Sequence, residues 1–146
     1  MKKIALALMA SIAFGAQSHA QIGWTLEKCE QHYGKPEKLY SGPDSTSYQF
    51  VSGQNIFVRI SPSTHLVTSV SYGKLSRGPL SLVEIKHWLQ ENGPDLEWST
   101  YQEEHPARVD DKSWVGRKGG RTVLHATYAH LEGDGAAGGW QLTIDQ

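Results

Sequence analysis

The residues of this chain best placed for covalent chemistry are Cys29 and His32, which lie three positions apart on a predicted helix. A thiolate nucleophile needs a base within hydrogen-bond reach and surroundings that lower the pKa of the thiol. The sequence supplies no third member of such a site and no oxyanion hole. Cys29 also falls on the apolar stripe of its helix, where a free cysteine packs as a small hydrophobic side chain. We therefore expect Cys29 to be buried, and we predict no catalytic residue.

The histidines and carboxylates form no recognisable metal or acid–base motif. His125 and His130 are five positions apart, so on one strand they would point to opposite faces and could not chelate one ion. The acidic pairs at 103–104 and 110–111 lack the alternating oxygen ligands and the tight-turn glycine of a calcium loop. We interpret these acidic pairs as solvated loop charges and the histidines as structural residues. The sequence therefore predicts no metal and no cofactor.

The five tryptophans are the clearest candidates for a binding surface. An exposed tryptophan marks either a protein-binding hot spot or a platform on which a sugar stacks. Trp88 adjoins the apolar stripe of a helix and Trp140 begins an alternating strand, so we expect most tryptophans in the core. The predicted exposed surface consists of two tryptophans and the basic hairpin tip that follows them in the chain. Its residues are Trp98, Trp114, Arg117, Lys118 and Arg121.

The N-terminal segment predicts where these side chains work. Residues 1–3 are cationic, residues 4–16 form an almost unbroken apolar run, and residues 18–20 are Ser-His-Ala. This is the three-part pattern of a secretory signal peptide, with cleavage expected after Ala20. The apolar run is too short to span a bilayer, and no cysteine stands at the cleavage site for lipid attachment. We expect a periplasmic or secreted protein with no membrane anchor after cleavage.

Residues 21–146 have the length of one domain, 126 of the 146 residues. Lys2 and Lys3 account for two of the 14 basic residues, so this domain carries 12 basic against 15 acidic residues. Without a cationic footprint, nucleic acid is not an expected partner. Cys29 is the only cysteine, which rules out an intramolecular disulfide and leaves burial or pairing with another molecule.

Two helices and seven strands are predicted in this domain. The first helix begins at the N-cap Thr25 and ends at Gly34, and the second follows a capping box made by Ser81 and Glu84. Alternating apolar patterns predict strands at 47–51, 56–60, 66–72, 96–102, 113–116, 121–131 and 140–144. The predicted fold class is α+β, with short helices packed on an antiparallel sheet. Residues 22–73 and 79–146 share a helix-plus-meander pattern, which suggests two related halves.

Residues 22–73 resemble the SmpA/OmlA domain of outer-membrane-assembly lipoproteins. The resemblance rests on Gly-Trp-Thr at 23–25, Gly-Lys-Pro at 34–36, Tyr-Gln-Phe at 48–50 and Phe-Val-Arg-Ile at 57–60. The related beta-lactamase inhibitor protein, a tandem helix-plus-sheet repeat, would suit two such halves. The resemblance implies a small exported domain that binds protein and has no catalytic residue. The chain departs from the lipoproteins because it lacks their lipidated cysteine and adds a long tryptophan-rich second half.

Together these features favour an exported, non-catalytic protein-binding module, either an accessory of envelope assembly or an inhibitor. The whole chain also resembles short exported bacterial proteins of unassigned function, which adds no mechanism. One alternative is a module that binds glycan or peptidoglycan through exposed aromatic rings. A weaker alternative is a periplasmic hydrolase that uses Cys29 or a histidine.

Overall fold

The computed structural model describes residues 21–101, 111–133 and 138–146. This part of the chain contains two helices and eight strands. The helices are α1 (Leu26–Tyr33) and α2 (Leu82–Asn92). The strands are β1 (Glu37–Ser41), β2 (Thr46–Val51), β3 (Asn55–Ile60), β4 (Val67–Gly73), β5 (Glu97–Tyr101), β6 (Lys112–Lys118), β7 (Arg121–Leu131) and β8 (Gly139–Asp145).

All eight strands pair antiparallel in one sheet, in the order β1-β2-β3-β4-β8-β7-β6-β5. Each helix precedes four strands, and the last strand of each set lies at the centre, where β4 pairs with β8. Ser71 and Thr143 hold the same position in β4 and β8 and pair directly, with their side-chain oxygens 2.8 Å apart. An approximate two-fold relation of the topology therefore passes between them. A common origin of the two halves remains a prediction.

Both helices begin where their capping residues predict. Thr25 Oγ1 accepts a hydrogen bond from the backbone N–H of Lys28 at 3.3 Å. At the second helix, Ser81 Oγ accepts from the N–H of Glu84 at 3.2 Å, and the Glu84 carboxylate accepts from the N–H of Ser81 at 2.7 Å. These bonds satisfy backbone donors that the first turn of a helix leaves free.

The core lies on the sheet face that meets the helices. The sheet contributes these buried apolar side chains to the cluster: Phe50, Ile56, Val58, Ile60, Val67, Val70, Tyr72, Leu124, Ala126, Tyr128, Leu142 and Ile144. Val115 of β6 is also buried, but its pairing with His125 places it on the opposite face of the sheet. Helix α1 adds Cys29 to this cluster, and α2 adds Ile85 and Leu89. The Trp88 ring stacks on Tyr72 with its centroid 4.2 Å away. The predicted α+β class is confirmed, although the sheet dominates the structure.

The sequence missed strand β1 and placed the start of β4 one residue early. All five residues of Glu37–Ser41 are exposed, because β1 is an edge strand, and its residues therefore show no apolar alternation. Leu66, predicted as the first residue of β4, is 36 % exposed and pairs with Thr25 in an isolated bridge outside the strand. The preceding His65 has a positive φ of 56°, which turns the chain before the strand begins.

Several predictions fall outside the described residues. They concern the signal peptide in residues 1–20, His105, the pair at 103–104, and Asp110. Within the described ranges, neither helix is long and apolar enough to cross a membrane.

Gly139, the first residue of β8, lies close to Arg77, and this close approach can be tested by substituting Gly139. Gly139 has a φ of +98°, and an added Cβ would lie 2.8 Å from the backbone oxygen of Arg77. We expect Gly139→Ala to lower the free energy of unfolding by about 2–3 kcal/mol in a urea titration. Gly119→Ala is the matched control, because Gly119 has a φ of +57° but open space around it. It should lose only about 1 kcal/mol, and equal losses would contradict the close approach.

Candidate functional site

The candidate site is the sheet face opposite the helices, which we call the open face. One row of side chains on it crosses all eight strands, and its members are Glu37, Gln49, Phe57, Ser71, Thr143, Thr127, Ser113 and Tyr101. The helix contacts found among the described residues all go to the other face of the sheet. Antiparallel sheets commonly leave one face to solvent in this way.

Hydroxyl groups occupy the middle of this row. Ser71, Thr143, Thr127 and Ser113 stand side by side on four neighbouring strands. The half-buried ring of Phe57 lies beyond one end of the hydroxyls, and Tyr101, which is 49 % exposed, lies beyond the other. The open face therefore offers hydrogen-bonding groups between two aromatic rings.

A second row on the open face brings three ionisable side chains together. It places Arg59 opposite Ser69, Ser69 opposite Asp145, and Asp145 opposite His125. Burial raises the pKa of the half-buried Asp145 carboxyl above its ordinary value, while His125 and Arg59 act in the opposite direction and offset only part of that rise. The charged form of Asp145 is thus held in surroundings that do not fully compensate its lost hydration.

Amide side chains on the same face are buried and ordered. Gln49 is 9 % exposed and Asn55 is 5 % exposed, and Gln49 Nε2 donates to Asn55 Oδ1 at 3.0 Å. Asn55 Nδ2 in turn donates to the backbone oxygen of Lys74 at 3.5 Å. These bonds fix the orientation of the amides before any ligand arrives, which lowers the entropy that binding would cost.

The predicted basic hairpin tip is present. Lys118 pairs with Arg121 across a turn in which Gly119 and Gly120 have φ of 57° and 78°, the left-handed conformation that a tight hairpin requires. Arg117 Nη1 donates to Ser99 Oγ at 2.9 Å, which draws this guanidinium toward the margin of the open face. The structure therefore brings together the three basic residues of the predicted site.

The two tryptophans of the predicted site are not exposed, and that expectation was wrong. Trp114 pairs with Ala126 and Trp98 with Gly116, so both lie on the helix side of the sheet, where they pack half-buried against the core. An added Cβ on Gly116 would lie 3.2 Å from the Trp98 ring, so this glycine makes room for the indole. All five tryptophans are buried or half-buried. The indoles and the basic tip do not form one surface.

The described residues also place the other candidates for chemistry. His125 pairs with Asp145 on the open face, whereas His130 pairs with Trp140 and its ring lies 5.4 Å from that indole on the helix side. The two histidines thus lie on opposite faces, as their spacing predicts. Among the described residues, no group of three or more His, Cys, Asp or Glu side chains is arranged to hold a metal ion.

Sequence reasoning missed the hydroxyl row and Asp145. Polar residues at alternate strand positions indicated a solvent-facing side for single strands. They did not indicate which strands would be neighbours. The only available signal was the recurrence of Ser and Thr at those positions in four of the strands that were predicted.

Cys29 is buried as predicted, with no exposed surface. Burial, helped by the charge of Glu30, raises the pKa of the Cys29 thiol to about 11. The thiol therefore stays protonated at neutral pH, where it is a poor nucleophile.

We expect a thiol-specific disulfide reagent to leave the native protein unmodified over minutes at pH 8. The same reagent should modify one equivalent of thiol at once in a denaturant. The change in absorbance of the released reagent measures both. Rapid modification of the native protein would show that Cys29 is accessible and would restore the case for a cysteine nucleophile.

Comparison with known proteins does not show the family of this chain. Comparisons with protein-family models, with curated proteins and with solved structures give no match to it. The resemblance of residues 22–73 to the SmpA/OmlA domain therefore stays a prediction, and the function has to be argued from the open face.

Proposed function

We propose that the protein is a non-catalytic module of the cell envelope that captures a protein partner on the open face. This proposal rests on one observation, which is that the helices α1 and α2 pack on the same face of the sheet. The helix contacts among the described residues go to one face, while the other presents ordered amides, a row of hydroxyls and the ionisable side chains of Arg59, Asp145 and His125. The resemblance to exported protein-binding domains and the predicted signal peptide support the same interpretation.

The size of the open face suits a protein better than a small molecule. Eight strands spaced about 4.8 Å apart make a sheet about 35 Å wide, and strands of about six residues are about 20 Å long. The product, about 700 Å², is close to the 800 Å² or so that one partner buries in a standard protein–protein interface. A small ligand would instead need a concave pocket that encloses most of its surface.

The raised pKa of Asp145 supports a binding role for the open face. A half-buried carboxyl whose pKa is raised by burial costs stability at neutral pH, since its charged form is poorly hydrated. Groups of this kind cluster at functional sites, where a partner supplies the missing interaction. Arg59 and His125 beside it, with the basic tip at Lys118 and Arg121, would orient a partner that carries acidic groups.

The two alternatives have less support. A sugar platform needs an exposed aromatic face, and none of the five tryptophans is exposed. Tyr101 is exposed, so glycan binding is kept as an outcome of the capture experiment. A cysteine hydrolase would require a thiolate at neutral pH, whereas the pKa of Cys29 is raised to about 11.

The first test is capture of a partner from the periplasmic extract of the host by the immobilised protein. Thr127→Arg places a long cation in the middle of the hydroxyl row at an exposed position. It should reduce the captured partner about tenfold or more while the melting temperature stays unchanged. Val83→Arg is the matched control, because Val83 is 77 % exposed on α2, away from the open face. Equal capture by both variants would contradict the proposal, and so would capture by purified cell wall alone.

Asp145→Asn tests the charge on the open face. Because burial raises the folded-state pKa of Asp145, the folded protein binds this proton more tightly than the unfolded chain does. The stability that this proton contributes is present below the unfolded pKa and is lost as the pH rises through the folded pKa. We expect Asp145→Asn to melt at a higher temperature than the wild type at pH 7, with a smaller gain near pH 3, and to capture less partner. A variant that is less stable at pH 7 would show that Asp145 is well compensated.

A further inference from the structure

The predicted signal-peptide cleavage after Ala20 makes Gln21 the first residue of the exported chain. An amino-terminal glutamine carries a nucleophile and an electrophile in one residue, because its own α-amino group can attack its side-chain amide. The product is a five-membered lactam, pyroglutamate. Gln21 is therefore a candidate site of covalent modification, and the contacts of this residue in the folded protein decide whether the reaction can proceed.

The side chain of Gln21 is held in the interior of the protein. The residue is 2 % exposed, and its Nε2 donates a hydrogen bond to the hydroxyl of Tyr33 on α1. Tyr33 itself packs against Phe50 of β2, with the two ring centroids 5.6 Å apart. The side-chain amide is thus bound to a residue that is fixed in the core.

The backbone that follows the amino end is fixed as well. The carbonyl oxygen of Gln21 accepts a hydrogen bond from the N–H of Trp24 at 3.0 Å, which closes a tight turn. Gly23 takes a φ of 85° in this turn, and its N–H donates to the carbonyl oxygen of Val67 at 2.8 Å. The N–H of Val67 donates back to the carbonyl oxygen of Trp24 at 2.8 Å. The backbone of Gln21 is therefore tied to β4, whereas its amide is tied to α1.

Cyclisation requires the amide to leave its partner. The α-nitrogen forms a bond to Cδ, the bond between Cδ and Nε2 breaks, and Nε2 leaves as ammonia with a proton from the α-amine. The reacting nitrogen and carbon must first approach to about 3–3.5 Å. The side chain of Gln21 has to turn back toward its own amino end for this approach, so the hydrogen bond to Tyr33 must break. The folded state therefore opposes the reaction, and the unfolded chain does not.

We propose that Gln21 is a pyroglutamate-forming site that folding controls, in which the cleaved but unfolded chain cyclises and the folded chain is protected by the bond to Tyr33. This proposal rests on the predicted cleavage after Ala20 and not on the binding role of the open face. An uncyclised glutamine then marks molecules that folded soon after cleavage. A cyclised end has lost the buried amide donor, so those molecules should melt about 3–6 °C lower.

The test follows the mass of the amino-terminal peptide in protein that is exported from the full-length chain and purified. The wild type should begin with uncyclised Gln21 and should lose ammonia about tenfold or more slowly in native buffer than in guanidinium chloride at the same pH. Tyr33→Phe should cyclise about fivefold faster than the wild type in native buffer, because it removes the acceptor of the amide and keeps the ring.

Tyr128→Phe is the matched control, since it removes a buried hydroxyl that accepts a hydrogen bond from the N–H of Leu80 instead. It should lower the melting temperature and leave the native cyclisation rate unchanged. Equal acceleration by both substitutions would overturn the proposal, because a general loss of stability would then explain the rate.

The wild-type protein alone also tests the proposal, so it does not depend on the folding of a variant. A chain that begins at a residue other than Gln21, a purified protein that is already cyclised, or equal rates in native buffer and in guanidinium chloride would each overturn it. All these results are masses of one peptide, and none of them depends on capture at the open face.

Discussion

The pairing of β4 with β8 joins the two halves of the sheet and sets which side chains each face presents. On one face of this pair, Val70 lies opposite Ile144 and Tyr72 opposite Leu142, and all four side chains are fully buried. On the other face, the hydroxyls of Ser71 and Thr143 lie 2.8 Å apart. A slip of one residue would move the apolar side chains to the open face and the hydroxyls into the core, so burial fixes the register strongly.

This register gives the two faces different properties. The helix side holds the tryptophans, and within the described residues the buried amide oxygens of Gln21 and Asn92 on that side have no hydrogen-bond partner. The open side carries a carboxyl, Asp145, whose charge is only partly compensated. A chain selected for stability alone would have little reason to keep these groups, since replacing them with smaller or apolar side chains would remove their desolvation cost. The partly compensated charge of Asp145 is explained if the open face meets a partner.

Local signals predicted the elements but not the sites. The capping box at Ser81 and Glu84 located α2, because capping needs only residues three positions apart. Strand β1 was missed because an exposed edge strand has no buried side whose pattern could reveal it. Trp98 was misplaced because its environment is made by Gly116, a residue on another strand. A sequence shows such a neighbour only once the strand pairing is known.

The groups of side chains described above could not be predicted from the sequence, for the same reason. The hydroxyl row joins Ser71 to Thr143 and Thr127, which are close only because β8 lies between β4 and β7. In the same way, Gln21 and Glu91 line one cleft between α1 and α2, although four strands separate these helices in the chain. Each side chain alone is an ordinary surface residue by type, and only the register and the helix positions give it a role.

Whether the open face is a binding surface can be decided by the thiol reactivity of Thr127→Cys in a Cys29→Ser chain. If the open face is uncovered and binds the partner, this thiol should react rapidly in the free protein and slowly once host periplasmic extract is added. The thiol of Val83→Cys in the same background should react at the same rate with and without the extract. Slow reaction of the Thr127→Cys thiol in the free protein, or a rate that captured partner leaves unchanged, would contradict this role of the open face.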